Sequence, residues 1–264
     1  MRDKIFLKFC ILRGCVIIKI MPNDIFLSVI IPAYNEAERI EPTLRVTSEW
    51  LGAQNFRHEI IVVDDGSTDS TAKLVAKLTR EIPNLRLLDG SPNQGKGHAV
   101  RLGMLAAVGK FRLFMDADNS TSIKELPPLL LAIEDDTDVV IGSRRAKGGQ
   151  GALKAPWFRR GWSRFTNYII RKKLINNIYD TQCGFKLFTA EAAEECFSRA
   201  KVNGWAFDLE ILGLAQLLDF TIEELPVAWV HDARSKVNSL PDAIKITKEF
   251  FRIHRAFKNG EYKI

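Results

Sequence analysis

Apolar residues along this chain fall into short runs that recur at intervals and end in polar or glycine-bearing turns. Five stand out, at residues 28–32, 59–63, 85–88, 111–115 and 138–142. The runs are continuous rather than alternating and several are rich in β-branched residues. That is the pattern of strands covered on both faces of a mostly parallel sheet. Between them lie segments of helical character, about residues 36–51, 68–81, 96–109 and 123–135. Alternating β and α units predict a doubly wound α/β sheet flanked by helices, with right-handed crossovers. Such sheets bind ligands at the carboxyl ends of their strands. The residues just after each run are therefore the place to look for chemistry.

After the first run comes Pro32-Ala33-Tyr34-Asn35-Glu36. Pro and Asn suit a turn, and the Tyr34 ring can stack on a flat ligand. After the second comes Asp64-Asp65-Gly66-Ser67-Thr68-Asp69. Gly66 permits a tight turn, and Ser67, Thr68 or Asp69 can cap the helix that follows. On its own, such a carboxylate pair is an ordinary solvated turn. After the fourth run comes Asp116-Ala117-Asp118. Two carboxylates flanking one small residue can approach a hard cation from one side, and Mg²⁺ or Mn²⁺ so held completes its shell with waters and substrate phosphates. An isolated Asp-x-Asp is weak evidence; two crossovers beyond an Asp-Asp-Gly-Ser turn it is much stronger.

A competing pattern lies at Gly90-Ser91-Pro92-Asn93-Gln94-Gly95-Lys96-Gly97, which nearly spells the phosphate loop G-x4-G-K-[ST]. The run ending at Asp116 would then be the acidic strand of a P-loop NTPase. Gly97 stands where that motif needs a hydroxyl for Mg²⁺, and the loop follows the third strand instead of the first. Both points weigh against the P-loop.

Length and composition set the outer limits. The 264 residues allow one large α/β domain with an appendage. With 46% hydrophobic and 27% charged residues, collagen-like, disordered and multi-span membrane classes are excluded. The four cysteines show no CxxC pairing, which supports neither a zinc site nor a disulfide framework and leads us to expect an intracellular protein. Residues 1–24 read as an N-terminal extension whose apolar stretch is broken by Arg13, Gly14 and Lys19, too short to span a bilayer. Two readings of it stand open: a membrane-surface element, or residues upstream of a true start at Met21.

The formal charge of +6 points to an anionic partner, and its distribution narrows the choice. Residues 144–173 hold ten Lys or Arg and no Asp or Glu, interleaved with Trp157, Phe158, Trp162, Phe165 and Tyr168. Residues from about 156 to 175 match an interfacial helix, aromatics among lipid headgroups and cations on phosphates. The plainer alternative is a solvated helix with its aromatics in the core. A last helix, from Pro241 to Lys258, pairs apolar with basic residues; packing on the domain, lying on a membrane and joining a partner chain all suit it.

The ordered set Ser28-Val29-Ile30-Ile31-Pro32-Ala33-Tyr34-Asn35-Glu36, Val63-Asp64-Asp65-Gly66-Ser67-Thr68-Asp69-Ser70-Thr71, Asn93-Gln94-Gly95-Lys96-Gly97 and Asp116-Ala117-Asp118 resembles the inverting family 2 glycosyltransferases. The likeness covers roughly residues 26–232. Further motifs look like the branch that glycosylates polyprenyl phosphates: Ile141-Gly142-Ser143-Arg144, Asp180-Thr181-Gln182-Cys183-Gly184-Phe185-Lys186-Leu187-Phe188 and Trp205-Ala206-Phe207-Asp208-Leu209-Glu210. Dolichyl-phosphate β-glucosyltransferases are the nearest likeness and dolichyl-phosphate mannosyltransferases the next.

The resemblance implies a nucleotide-sugar-binding A-type (Rossmann-like) fold, with an extension (1–24), a catalytic domain (25–235) and a C-terminal helical tail (236–264). It implies that Pro32, Tyr34 and Glu36 line the nucleotide pocket, Asp65 bonds the base, and Lys96 lies near the phosphates. Asp116 would sit by the ribose and metal, and Asp118 would ligate the Mg²⁺ or Mn²⁺ that bridges the diphosphate. Asn119 departs from the glycine or leucine usual after that motif. Arg144, Arg145, Gln182 and Lys186 are the candidates for the acceptor phosphate. Asp208, with Glu210 two residues on, falls where many members place a catalytic acid; residues two apart on a helix face different ways. The expected reaction moves a hexose, glucose from UDP-glucose, to a polyprenyl phosphate with inversion, at the cytoplasmic face of a membrane held peripherally. The alternatives are mannose from GDP-mannose, a non-lipid glycan acceptor, and an inactive basic membrane- or RNA-binding module. The clustered carboxylates argue against a nucleic-acid partner.

Overall fold

The structure is a computed structural model that describes residues 24–144, 174–175, 178–230 and 241–262, the last stretch with side chains from residue 247. Arg145, the N-terminal extension and most of the aromatic-basic segment lie outside the described residues. Seven strands form one sheet in the order β3-β2-β1-β4-β6-β5-β7. β1 (Leu27–Ala33), β2 (His58–Asp64), β3 (Leu85–Asp89) and β4 (Phe111–Met115) pair in parallel. β5 (Val139–Ser143) is parallel to β7 (Ile222–Pro226), and β6 (Phe185–Thr189) runs antiparallel between β4 and β5. The mostly parallel α/β sheet is as expected. Two strands, β6 and β7, were not foreseen. Lys186 breaks the apolar run of β6, and β7 is an edge strand carrying Glu223 and Glu224.

Among the described residues the helices are α1 (Ile40–Gly52), α2 (Thr71–Leu78), α3 (Lys96–Ala106), α4 (Leu126–Glu134, entered by a 3₁₀ turn at Ile123–Glu125), α5 (Ala190–Arg199), α6 (Phe207–Leu217) and α7 (Pro241–Lys258). α1 starts four residues later than the pattern suggests, because Asn35 adopts a left-handed backbone (φ 56°) and the turn after β1 is tied to the next loop. Successive strand residues point to opposite faces. Val29, Ile31, Ile60 and Val62 pack beneath α1, α2 and α4, whereas Ile30, Ile61 and Val63 pack beneath α3, α5, α6 and α7. Both faces are thereby covered, which is why the central strands are apolar without alternation.

The strand order reverses between β1 and β4. Their pairing ends at Ile30 and Phe114, while β1 runs on beside β2 to Ala33. The Ala33 carbonyl accepts from the Asp65 amide on the β2 side, so Pro32 faces the β4 side, where the ladder has already ended. A residue without an N–H therefore costs no ladder bond there. The two strands part at their carboxyl ends and leave a crevice at the reversal point, the usual ligand position in open α/β sheets.

Candidate active site

One wall of the crevice is the turn after β1. Asn35 N donates to Ser67 Oγ (2.9 Å), Glu36 N donates to Thr71 Oγ1 (2.8 Å), and Asn35 Oδ1 accepts from the amides of Thr68 (2.8 Å) and Asp69 (3.2 Å). The hydroxyls and amides of residues 67–71 thus hold the Tyr34-Asn35-Glu36 turn in place. Tyr34 is left 43% exposed at the rim. Pro32 is buried in β1.

The opposite wall is the turn after β4, where Asp116, Ala117 and Asp118 follow Met115. Asp118 Oδ1 accepts from the Ser120 amide (2.9 Å), and Asp118 Oδ2 lies 3.7 Å from Arg39 Nη1. Arg39 in turn grips Glu36 through two bonds of 2.6 and 2.5 Å. Glu36, Arg39 and Asp118 therefore form a bridge from one wall to the other. Sequence reasoning missed Arg39. Its signal was present, since an Arg three residues after Glu36 at the start of a helix is placed to pair with it. Thr43 Oγ1, on the same helix, donates to the Ala117 carbonyl (2.8 Å) and fixes the turn from behind.

Behind the crevice, α3 begins at Lys96. Lys96 Nζ lies 2.5 Å from Asp116 Oδ1, above the rings of Phe114 (5.1 Å) and Trp205 (5.2 Å). Burial works to lower the pKa of this ammonium. The carboxylates of Asp116, Asp208 and Asp118 outweigh it and hold the pKa above its ordinary value. Asp65 is almost wholly buried, and its two oxygens accept from the amides of Gln94 (3.1 Å) and Gly95 (2.8 Å). In a phosphate loop those amides would face a phosphate; here a carboxylate of the protein fills their place, which removes the P-loop alternative.

Lys186 on β6 and Asp208 at the start of α6 are buried against each other. Lys186 Nζ donates to Asp208 Oδ1 (2.6 Å) and to the Cys183 carbonyl (2.5 Å). Burial pushes the Asp208 carboxyl above its usual range, against the pull of Lys186 and Lys96. Glu210 points elsewhere, toward the amides of Lys201 and Val202. Arg144, at the end of β5, donates from its backbone and side chain to Asp180, with two guanidinium bonds of 2.7 Å each, and lies over the Trp229 ring. Glu224 on β7 fixes Asp180 by accepting from its amide (2.8 Å). Gln182 Nε2 donates to the Trp205 carbonyl (3.3 Å). The Cys183 thiol, buried, is pushed up to about 11 and is no nucleophile at neutral pH.

The crevice thus brings together Tyr34, Glu36, Lys96, Asp116 and Asp118. Lys186 and Asp208 form a neutralised pair behind Phe114, and Arg144 flanks the site in its own pair. Among the described residues no group of three or more His, Cys, Asp or Glu converges as a metal cage. The donor set here is two hard carboxylates on one turn. It suits a cation that keeps phosphate and water ligands, as Mg²⁺ and Mn²⁺ do, and does not suit one enclosed by protein alone.

Comparisons with known proteins agree with this geometry. The model of the family described as "Glycosyl transferase family 2" matches residues 28–197. A dolichyl-phosphate beta-glucosyltransferase of Dictyostelium discoideum is 39% identical over 254 residues, which cover 92% of this chain and 78% of the relative. Among solved structures, mannosyl-3-phosphoglycerate synthase from Rubrobacter xylanophilus superposes with a TM-score of 0.66 at 16% identity, covering 91% of this chain and 76% of that one. Glucosyl-3-phosphoglycerate synthase from Mycobacterium tuberculosis, solved with Mn²⁺, UDP-glucose and phosphoglyceric acid, superposes with a TM-score of 0.60 at 18% identity, covering 87% of this chain and 79% of that one. At such identities the structures speak for the fold. The sequence match decides the family: this chain belongs to glycosyl transferase family 2.

Proposed function

We propose that the protein transfers glucose from UDP-glucose to a polyprenyl phosphate of the dolichyl type, with inversion at the anomeric carbon. The observation that carries the reading is the Asp116-Ala117-Asp118 turn facing Tyr34 and Glu36 at the reversal point of the sheet, in a chain 39% identical to a dolichyl-phosphate beta-glucosyltransferase. In this reading Tyr34 and Asp65 serve the base, Pro32 and Glu36 shape its pocket, and Lys96 faces the diphosphate. Asp118, with Asp116, would hold Mg²⁺ or Mn²⁺. When bound, the cation neutralises charge that develops on the departing diphosphate.

The lipid phosphate oxygen attacks the anomeric carbon as the bond to the diphosphate breaks. One C–O bond forms, one breaks, and UDP leaves with the electron pair. A phosphate monoester loses its second proton near pH 6, so its oxygen is ionised at neutral pH and needs no base. Asp208, already bonded to Lys186, orients groups and removes no proton. Arg145 and Gln182 remain the acceptor-side candidates, whereas Arg144 and Lys186 are engaged by Asp180 and Asp208 and serve as the framework beside them.

Peripheral attachment to the cytoplasmic face of a membrane is part of the same proposal. It is supported by the basic run at residues 144–173, and by Lys248, Phe251, Arg252, Arg255 and Lys258 exposed along α7. The free buried thiols of Cys183 and Cys196 suit a reducing compartment. No helix among the described residues is long and apolar enough to cross a membrane.

The test is transfer of label from a panel of UDP- and GDP-sugars to short-chain polyprenyl phosphate with Mn²⁺ or Mg²⁺, wild type beside Asp118→Ala. Organic-extractable label from UDP-glucose, lost in the variant, is the expected outcome. Label from GDP-mannose would replace the donor. Nucleotide-sugar binding without lipid labelling would overturn the acceptor.

A further inference from the structure

The segment 201–206 lies beyond the matched family span, yet it touches the donor side of the site at every step. A Cβ on Gly97 would meet the Val202 carbonyl oxygen at 2.5 Å, and one on Gly95 would meet that of Asn203 at 2.6 Å. Only glycine lets α3 start this close to the segment. The Asn203 carbonyl accepts from the His98 amide (3.2 Å), and the Asn203 side chain donates to Gln94 Oε1 (3.4 Å). Trp205 adds its ring beside Lys96. The height of the Gln94-Gly95-Lys96 turn is therefore set by segment 201–206.

What holds that segment comes from α6 and from the C-terminal end of the chain. Glu210, with no exposed surface, accepts from the amides of Lys201 (2.9 Å) and Val202 (2.8 Å) and from the Tyr262 hydroxyl (2.5 Å). The Tyr262 ring packs on Phe257, with centroids 4.5 Å apart, and Lys201 Nζ sits 5.0 Å above it. At the other end of the segment, Glu249 Oε2 accepts from the Ala206 amide (3.3 Å), and Gly204 lies close enough that a Cβ would meet Glu249 Oε1 at 2.7 Å. Residues 249–262 thus grip both ends of the segment that backs Lys96.

We propose that Glu249 and Tyr262 are positioning residues for the donor site, and that the C-terminal helix is a working part of it. They act through segment 201–206 on the Gln94-Gly95-Lys96 turn, and so on the ammonium that faces the diphosphate. This rests on the reading of Lys96 given above. A displacement of ~1 Å far from the chemistry can cost a factor of about 100 in rate, so loosening this grip has room to act.

The test uses the full chain. Tyr262→Phe keeps the ring on Phe257 and removes only the hydroxyl. Glu249→Ala frees the Ala206 amide, and Glu249→Gln keeps an acceptor for it. UDP affinity with Mn²⁺ is expected to fall about five- to tenfold in Tyr262→Phe and Glu249→Ala, and to stay within about twofold in Glu249→Gln. KM for the donor should rise more than kcat falls. Combined with Lys96→Met, the losses should not multiply, because they act through the same group. Hydrogen exchange of the amides of residues 94–98, read without ligand, should quicken in both loosened variants. Unchanged exchange there, or losses that multiply with Lys96→Met, would overturn the proposal. If the wild type binds no UDP, the reading of Lys96 falls, and the exchange data alone decide whether Glu249 and Tyr262 position the turn. Should Tyr262→Phe fail to fold, the two Glu249 variants decide.

Discussion

The two halves of the sheet's carboxyl edge handle charge in different ways. On the β1–β4 side the side chains of Asp116 and Asp118 keep 33% and 21% of their surface open, and their partners are amides and cations at the edge of the crevice. On the β6–β7 side the charges are paired and enclosed: Lys186 with Asp208 at 1% and 6%, and Arg144 with Asp180 at 18% and 3%. The motifs that contain these residues look alike in the sequence. Burial with an opposite charge separates a framework ion from one that meets a ligand, because a buried pair satisfies itself and a half-open carboxylate does not.

The strongest way to break this comparison is to remove one member of an enclosed pair. Lys186→Met leaves Asp208 buried without its cation, and such losses cost about 3–5 kcal/mol. Denaturant unfolding of the variant should show that loss, and Lys186→Met combined with Asp208→Asn should recover most of it. A single variant as stable as wild type would mean that the Lys186 charge is available to a ligand after all.

A second test crosses the boundary between the halves. Gly184, just before β6, accepts at its carbonyl from the Asp116 amide (3.1 Å) and faces the Asp116 carboxylate so closely that a Cβ would fall 1.9 Å from Oδ2. Gly184→Ala should push that carboxylate away from Lys96 and lower kcat/KM about 10–100-fold, the usual range for disturbing groups around a ligand site. The melting temperature should barely move, since a short, partly open side chain can give way. A change within about twofold would show that the position of Asp116 is not critical.

The same contrast explains what was legible in the sequence. Runs such as 59–63 and 111–115 announced themselves because strands buried on both faces must be apolar throughout. The turn carboxylates were legible because a fold of this kind places post-strand turns together. β6 was not, since Lys186 is an improbable core residue until Asp208, 22 residues away, is known to meet it. Arg39 was overlooked for a related reason: its role depends on Asp118, whose approach only the folded sheet creates. Ser67 reads as a candidate helix cap, whereas its hydroxyl holds the turn after β1, a contact across more than 30 residues. Local pattern reported elements and turns; pairings between distant charges required the topology.

A smaller effect is expected at Arg144. Arg144→Lys keeps the charge but loses the two-pronged grip on Asp180 and the contact with Trp229. A point charge on a flexible stem cannot reproduce either. The expected loss is about 1–2 kcal/mol of stability, with activity following it rather than falling further. An activity loss far beyond the stability loss would move Arg144 from the framework to the acceptor site.

The smallest effect belongs to the opposite, amino edge of the sheet, where His58 opens β2. Burial lowers its pKa, against a weaker opposing hydrogen bond to the Phe56 backbone. A histidine whose folded pKa lies below its unfolded value leaves the unfolded chain holding more protons in the window just under about 6.5, so stability rises with pH there. Wild type should therefore unfold more easily at about pH 5.5 than at about pH 7.5, and His58→Gln should show a smaller difference between the two. If His58→Gln keeps the full pH dependence, the sensitivity lies elsewhere, and the raised Asp208 carboxyl, which is also titrated by acid and is enclosed by Lys186 and Lys96, becomes the group to replace next.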